Sequence, residues 1–367
     1  MILYWLTCAA SVIMTGFVLR VKHKKEDFKY YLLLAIFASL PLNIICSIRY
    51  NVGEDYLEYL RYFKLISNGN TPGTSGSLYF DLVSGGRTIG RLEFLYYGLN
   101  KAIAILGGDY PWLFAICSSI FLVFVFLEIF RDSPYPKQSV YFIVAMSYYF
   151  IFMNGMRQMM GCAILLFSLR FVEERKFIPF LCCVIAACGF HMTCLPFIII
   201  FFIGKCEFKP RYVIITTIVL FAISQLLGDL FTRILYYTPY ARYIGSDHDS
   251  TQQGFIVLAI NILLVVLGAL FYDKEDERYR LYFNLQVMAM WVAVLTGKVV
   301  LISRLRWMFG LPSIILLPLA FSKIENSQVR KLVTWSVVGL YFIYCTYRIA
   351  VLNSNTVLPY QTIFSQF

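Results

Sequence analysis

The sequence predicts an all-α polytopic membrane protein, a single integral membrane domain over residues 1–367. It has about twelve transmembrane helices, a re-entrant or interfacial helix and an amphipathic outer-loop helix. Three observations carry this. The chain is 59% hydrophobic and only 14% charged, with mean hydropathy +0.69; a soluble domain of this size needs a more polar exterior. Apolar runs of about 15–22 residues recur, the length that crosses a hydrocarbon core. The short connections 20–29, 131–138, 170–177, 205–211, 272–281 and 321–332 carry 19 of the 32 Lys and Arg, which places them inside by the positive-inside rule.

In chain order the expected spans are 2–19, 30–47, 111–130, 139–153, 157–172, 177–190, 193–204, 212–230, 254–271, 282–297, 303–320 and 333–350, with both termini outside. No basic residue precedes the first run, and Arg20, Lys22, Lys24 and Lys25 follow it. That order fits a first span rather than a cleaved signal peptide. Residues 177–204 contain Pro179 and Pro196 and read as two short spans, which keeps Lys205–Arg211 inside. Residues 93–108 are too short and polar to span and read as re-entrant or interfacial.

Two outer excursions remain, 48–110 and 231–253. In the first, Glu54 to Ile66 puts Tyr56, Tyr59, Leu60 and Phe63 on one helical face, and Asn68 to Ser77 is a Gly/Pro/Ser/Thr/Asn loop. The second holds Tyr236, Tyr237, Tyr240 and Asp247-x-Asp249, an acidic pair without metal-site context.

Composition also excludes functions. The charge of +11 is spread over short loops with no basic stripe or RNA-binding pattern, so nucleic acid is not a partner. Nine of the ten cysteines lie in apolar runs and behave as small hydrophobes. No zinc spacing, Walker loop, nucleophile elbow or Rossmann fingerprint occurs, and neither a metal nor a cofactor is expected.

Polar and charged groups from distant segments recur at the outer span ends: Arg49-x3-Gly53-x-Asp55-Tyr56-x2-Tyr59, Glu93, Asn154-x2-Arg157-Gln158, His191, Arg304-x-Arg306 and Pro359-Tyr360. A charge at the edge of hydrocarbon is costly unless paired or wet, so such residues mark sites. Arg49, Arg157, Arg304 and Arg306 together suit a diphosphate, whose oxygens match guanidinium forks; taken singly, each also fits snorkelling or charge pairing. Asp55 or Glu93 could act as a base toward a sugar hydroxyl or pair with an arginine. His191 fits a hydrogen-bonded structural role as well as chemistry, and the outer tyrosines fit sugar stacking or an interfacial belt.

These motifs, in this order, resemble the EpsG-type, Wzy-like polysaccharide polymerases. The resemblance rests on Arg49–Tyr59, Arg91–Tyr97 around Glu93, Met153–Gln158, Phe190-His191, Ser303–Phe309 and Leu358–Tyr360. Glu54 and Trp307-Met308 depart from the pattern. The resemblance implies a bundle like that of the C-type glycosyltransferases, and metal-independent polymerisation at the outer face of the bacterial cytoplasmic membrane. Donor and acceptor would be oligosaccharide repeat units on undecaprenyl diphosphate, with a chain-length regulator as a candidate protein partner. Arg49, Arg157, Arg304 and Arg306 would hold the diphosphate. Asp55, with His191 second, would be the base, and Tyr56, Tyr59, Glu93, Asn154 and Gln158 would orient sugars. The rival readings are a lipid-linked glycan ligase, a transporter of the same lipid, which would place its charges nearer the bilayer midplane, and a membrane acyltransferase.

Overall fold

The computed structural model describes residues 1–20, 28–69, 79–84, 87–237, 254–296 and 302–366. Helices dominate because a backbone in hydrocarbon must satisfy its own hydrogen bonds. In order they are α1 (Ile2–Val18), α2 (Phe28–Ser47), α3 (Tyr56–Ser67), a hairpin of β1 (Tyr79–Ser84) and β2 (Arg87–Glu93), α4 (Phe94–Ile105), α5 (Tyr110–Asp132), α6 (Pro136–Ala145), α7 (Tyr148–Asn154), α8 (Met156–Glu173) and α9 (Phe177–Phe190). After a 3₁₀ segment (Met192–Ile199) come α10 (Ile200–Ile203), α11 (Pro210–Tyr236), α12 (Gly254–Leu270), α13 (Glu277–Thr296), α14 (Ser303–Gly310), α15 (Ser313–Ser322) and α16 (Ser327–Thr346), then a π-helical turn (Tyr347–Val351).

Among the described residues four helices are long and apolar enough to cross a membrane: Phe28–Ser47, Tyr110–Asp132, Pro210–Gly228 and Ser327–Val351. The bent pair α14–α15 makes a fifth, with a 41° bend. The bend falls at Leu311-Pro312, where a proline removes a backbone donor and restricts the residue before it. Three expected spans thus take another form. Residues 139–153 divide into α6 and α7 at Ser147, which adopts φ +68°. Residues 193–204 are mostly 3₁₀ around Pro196. Residues 303–320 form the bent pair. Residues 93–108 hold the last residue of β2 and the 12-residue α4.

The core is built on α5, α8, α13 and α15, whose apolar residues are buried around most of their circumference. By contrast α11 and α12 expose Ile214, Ile218, Phe221, Ile256 and Leu263, faces suited to lipid. Inside the bundle polar side chains bond across helices, as hydrocarbon demands. Asn43 Nδ2 donates to Ser119 Oγ at 2.7 Å, Gln286 Nε2 to Asn261 Oδ1 at 3.1 Å, and Asn284 Nδ2 to the carbonyls of Gly204 and Cys206.

The connections expected inside meet at one end. Glu128 is fully buried and accepts from Arg131 at 2.7 Å and Arg170 at 2.8 Å. Asp132 accepts from the Tyr282 hydroxyl at 2.6 Å and pairs with Arg278 at 3.5 Å. Lys323 bonds both Asp273 and Asp276 at 2.8 Å, and Lys205 reaches the Glu173 carbonyl. Lys22, Lys24 and Lys25 lie outside the described residues.

Replacing Glu128 with Ala strips two half-buried arginines of this buried carboxylate, and breaking a buried pair costs up to about 3–5 kcal/mol. Thermal unfolding of the purified protein in detergent should show a clearly lowered midpoint for Glu128→Ala. An unchanged midpoint would dismiss the network as a clamp on α5 and α8.

Candidate functional site

At the opposite end the chain breaks between α7 and α8 at Gly155, and most of the motif residues gather there. Arg49, just past α2, is fully buried. Its Nη1 donates to the Met153 carbonyl at 2.7 Å and the Val52 carbonyl at 3.0 Å, near the end of α7. The guanidinium lies 5.0 Å from the Phe114 ring centroid and 5.8 Å from that of Tyr56, and these two rings stack at 4.6 Å. The aromatic faces supply the attraction that water would otherwise give.

Gly53 adopts φ +100° because its neighbours leave no room: a Cβ there would lie 2.7 Å from Asn154 Oδ1 and 2.9 Å from the Met153 carbonyl. Tyr59 then pins the break from both sides. Its hydroxyl donates to the Asn154 carbonyl at 2.6 Å and accepts from the Met156 N–H at 3.0 Å. Asn154 Oδ1 accepts from Glu54 N at 2.9 Å, and its Nδ2 donates to Asn355. Arg49, Gly53, Tyr56, Tyr59 and Asn154 are therefore a buckle holding the start of α8.

What the buckle presents is Arg157. Its Nη1 pairs with Glu93 Oε2 at 2.7 Å, and its guanidinium lies 5.6 Å from the Tyr96 ring centroid. Glu93 reaches it because the hairpin delivers it: β2 ends at Glu93, in register with Tyr79. Glu93 Oε1 also accepts from Met192 N at 3.4 Å, next to His191. His191 Nδ1 accepts from the Thr193 N–H at 3.3 Å and meets the Thr193 hydroxyl at 2.8 Å; in that tautomer the neutral ring carries its proton on Nε2. Burial first, then Arg157 and Arg304, hold this imidazole well below its ordinary range, so it is neutral at pH 7. Gln158 Nε2 donates to the Arg304 carbonyl at 2.6 Å and ties α8 to α14. Asp55 precedes α3, half-buried, with its charge acting on Tyr59.

The expected four-arginine face is divided. Arg49 lies beneath the break, Arg157 and Arg304 converge on His191, and Arg306 stands two residues from Arg304, on another side of α14. There Arg306 neighbours Tyr148, Tyr344 and Arg348.

The tail straps this end. Tyr50 N donates to the Gln361 carbonyl at 2.9 Å, Ile363 N to Ile48 at 2.9 Å, and the Tyr360 hydroxyl to Ile45 at 2.7 Å. Sequence reasoning missed Arg348, Asn355 and the hairpin. Arg348 was findable, since it ends an apolar run at the same side as Arg157. Tyr240 and Asp247–Asp249 lie outside the described residues.

Fold and site together define a helical membrane protein with a cationic, aromatic-lined pole. The EpsG family model matches residues 32–362, and the chain belongs to the EpsG family. It is thus a membrane protein of the polysaccharide-polymerase type, in the general class of glycosyltransferase-like polymerases. No curated protein and no solved structure matches the chain.

Gly53 and Gly69 offer a paired test. Both have positive φ, but nothing lies within 4 Å of a Cβ at Gly69. Gly53→Ala adds a clash to the backbone strain, which alone costs about 1–3 kcal/mol. It should lower the unfolding midpoint more than Gly69→Ala does; equal shifts would mean the close approach to Asn154 carries no weight.

Proposed function

We propose that this protein polymerises lipid-linked oligosaccharide repeat units at the outer face of the bacterial cytoplasmic membrane, within a bundle of about twelve crossings like that of the C-type glycosyltransferases. The growing glycan moves from undecaprenyl diphosphate onto the next lipid-linked repeat. The acceptor hydroxyl oxygen attacks the donor's anomeric carbon, the bond from that carbon to the phosphate oxygen breaks, and the diphosphate leaves with the electron pair. The hydroxyl proton passes to a base. The observation that carries this reading, beside family membership, is the cluster of Arg157, Arg304 and neutral His191 at one end of the bundle. Reacting groups on two membrane-anchored lipids meet at that depth.

Arg157 and Arg304 stabilise the charge that develops on the leaving diphosphate. Glu93 holds Arg157 in place through its ion pair. Asp55 is the base. His191 fits a donor to the departing diphosphate better than a base, because its Nδ1 is already accepting and Nε2–H is left to donate. Arg49, Tyr56, Tyr59 and Asn154 act through the buckle, and Gln158 through its bond to α14. The scheme uses no metal. A chain-length regulator remains a candidate partner.

The test is reconstitution in liposomes with lipid-diphosphate-linked repeats, the products resolved as a ladder on a gel. Wild-type protein should give the ladder without nucleotide sugar or metal. Labelled lipid crossing the bilayer without elongation would favour a transporter instead. In the same assay Asp55→Asn should slow elongation by at least about 100-fold, the usual worth of a general base, while the protein stays in the membrane. Normal elongation would remove Asp55 from that role.

A further inference from the structure

We propose that Arg306 and Arg348 form a second anion station, separate from Arg157 and Arg304, which holds the diphosphate of the second lipid-linked substrate. Arg304 and Arg306 are two positions apart on α14, roughly 200° around a helix of 3.6 residues per turn, so one helix serves two sides. On the first side Gln158 bonds the Arg304 carbonyl, beside Arg157 and His191. The other side is lined by different elements.

Gly310 lies one turn beyond Arg306 on the same face. Its missing Cβ admits the Tyr148 hydroxyl, which would stand 2.9 Å from that atom and is 3.5 Å from Ser313 Oγ. From α16 comes Tyr344, whose hydroxyl accepts from Arg348 Nη1 at 3.4 Å and whose ring centroid is 5.8 Å from the Arg348 guanidinium. Arg348 sits in the π-helical turn Tyr347–Val351, a distortion that is frequent at functional sites. Arg306 and Arg348 carry like charges that bear on each other, with Tyr148 and Tyr344 also acting on Arg306. Among the described residues neither has a carboxylate partner, and Arg306 Nε is buried without a hydrogen-bond partner.

Two half-buried like charges held together without an acid are unfavourable unless an anion joins them. The contrast with the inner end is direct, where Glu128, Asp132 and Glu173 meet their arginines. A diphosphate fits the chemistry, since it offers oxygens to two guanidinium forks and to the tyrosine hydroxyls. A reaction between two diphosphate lipids also requires two such groups at one depth without mutual repulsion, and a helix between them supplies that separation. For the identity of the ligand this inference rests on the polymerase reading.

The experiment counts bound polyprenyl diphosphate, carrying no sugar, on the purified full-length protein by native mass spectrometry, with affinities from titration. Wild-type protein should bind two per chain. R306Q/R348Q should bind one, or bind the second at least about tenfold more weakly, and R306K/R348K should regain it. Inorganic diphosphate should displace both molecules. The proposal is overturned by one bound molecule on the wild type, by two unweakened molecules on R306Q/R348Q, or by a lysine pair no better than the glutamine pair. Displacement of the second molecule by equimolar phosphatidylglycerol would also overturn it, by making the station an ordinary headgroup contact. Two bound molecules with no glycan ladder would leave the station standing and remove the polymerase reading; a ladder from a chain that binds one would do the reverse.

Discussion

The motif-bearing end of this protein depends on one buried cation. Arg49 has no exposed surface, and its desolvation is offset by two backbone carbonyls and two aromatic faces. An uncompensated buried charge costs several kcal/mol, so these partners must assemble together or the segment does not fold. One of the carbonyls belongs to Met153, at the end of α7. Satisfying Arg49 therefore fixes where α7 stops, where Gly155 turns, and where α8 points Arg157. Tyr59 and Asn154 complete that arrangement, and the tail closes over it by pairing Arg49 with Thr362. An arginine with no access to solvent thus governs the geometry of those that have it.

Much of this was legible in the sequence, and the limits have physical causes. The long apolar helices α2, α5, α11 and α16 follow from hydropathy alone. The broken elements do not. Ser147 in the left-handed region, the 3₁₀ run around Pro196 and the α14–α15 bend are local departures that a hydropathy window averages away. The hairpin was missed because its strands are short, six and seven residues. Yet that hairpin delivers Glu93 to Arg157.

The site residues were legible as a set and misleading as individuals. Arg49, Tyr56, Tyr59 and Asn154 stand in the motifs for what they do to the backbone, while the charges of Arg157 and Arg304 act on His191. A motif read from spacing cannot tell a residue that touches a ligand from one that aims its neighbour. Burial and hydrogen-bond direction can. His191 illustrates the difference: the N–H of Thr193 decides which ring nitrogen keeps the proton, and hence whether the imidazole accepts or donates.

The two ends of the bundle also solve the same electrostatic problem in opposite ways. At one end, among the described residues, the buried carboxylates Glu128 and Asp132 meet basic partners across helices, and the resulting network ties α5 to α8 and α13. At the other end, among the described residues, arginines gather with fewer acids, and aromatic rings and hydroxyls take the place of carboxylates. Cation–π contacts contribute about 0.5–2 kcal/mol, less than a buried ion pair demands, so they tolerate a cation without neutralising it. A pole built this way keeps a residual positive field where the hydrocarbon ends. α14 enters that pole between Gly155 and Tyr148, its Trp307 packed against the break, so the buckle that Arg49 organises also sets where the two arginines of this helix can point.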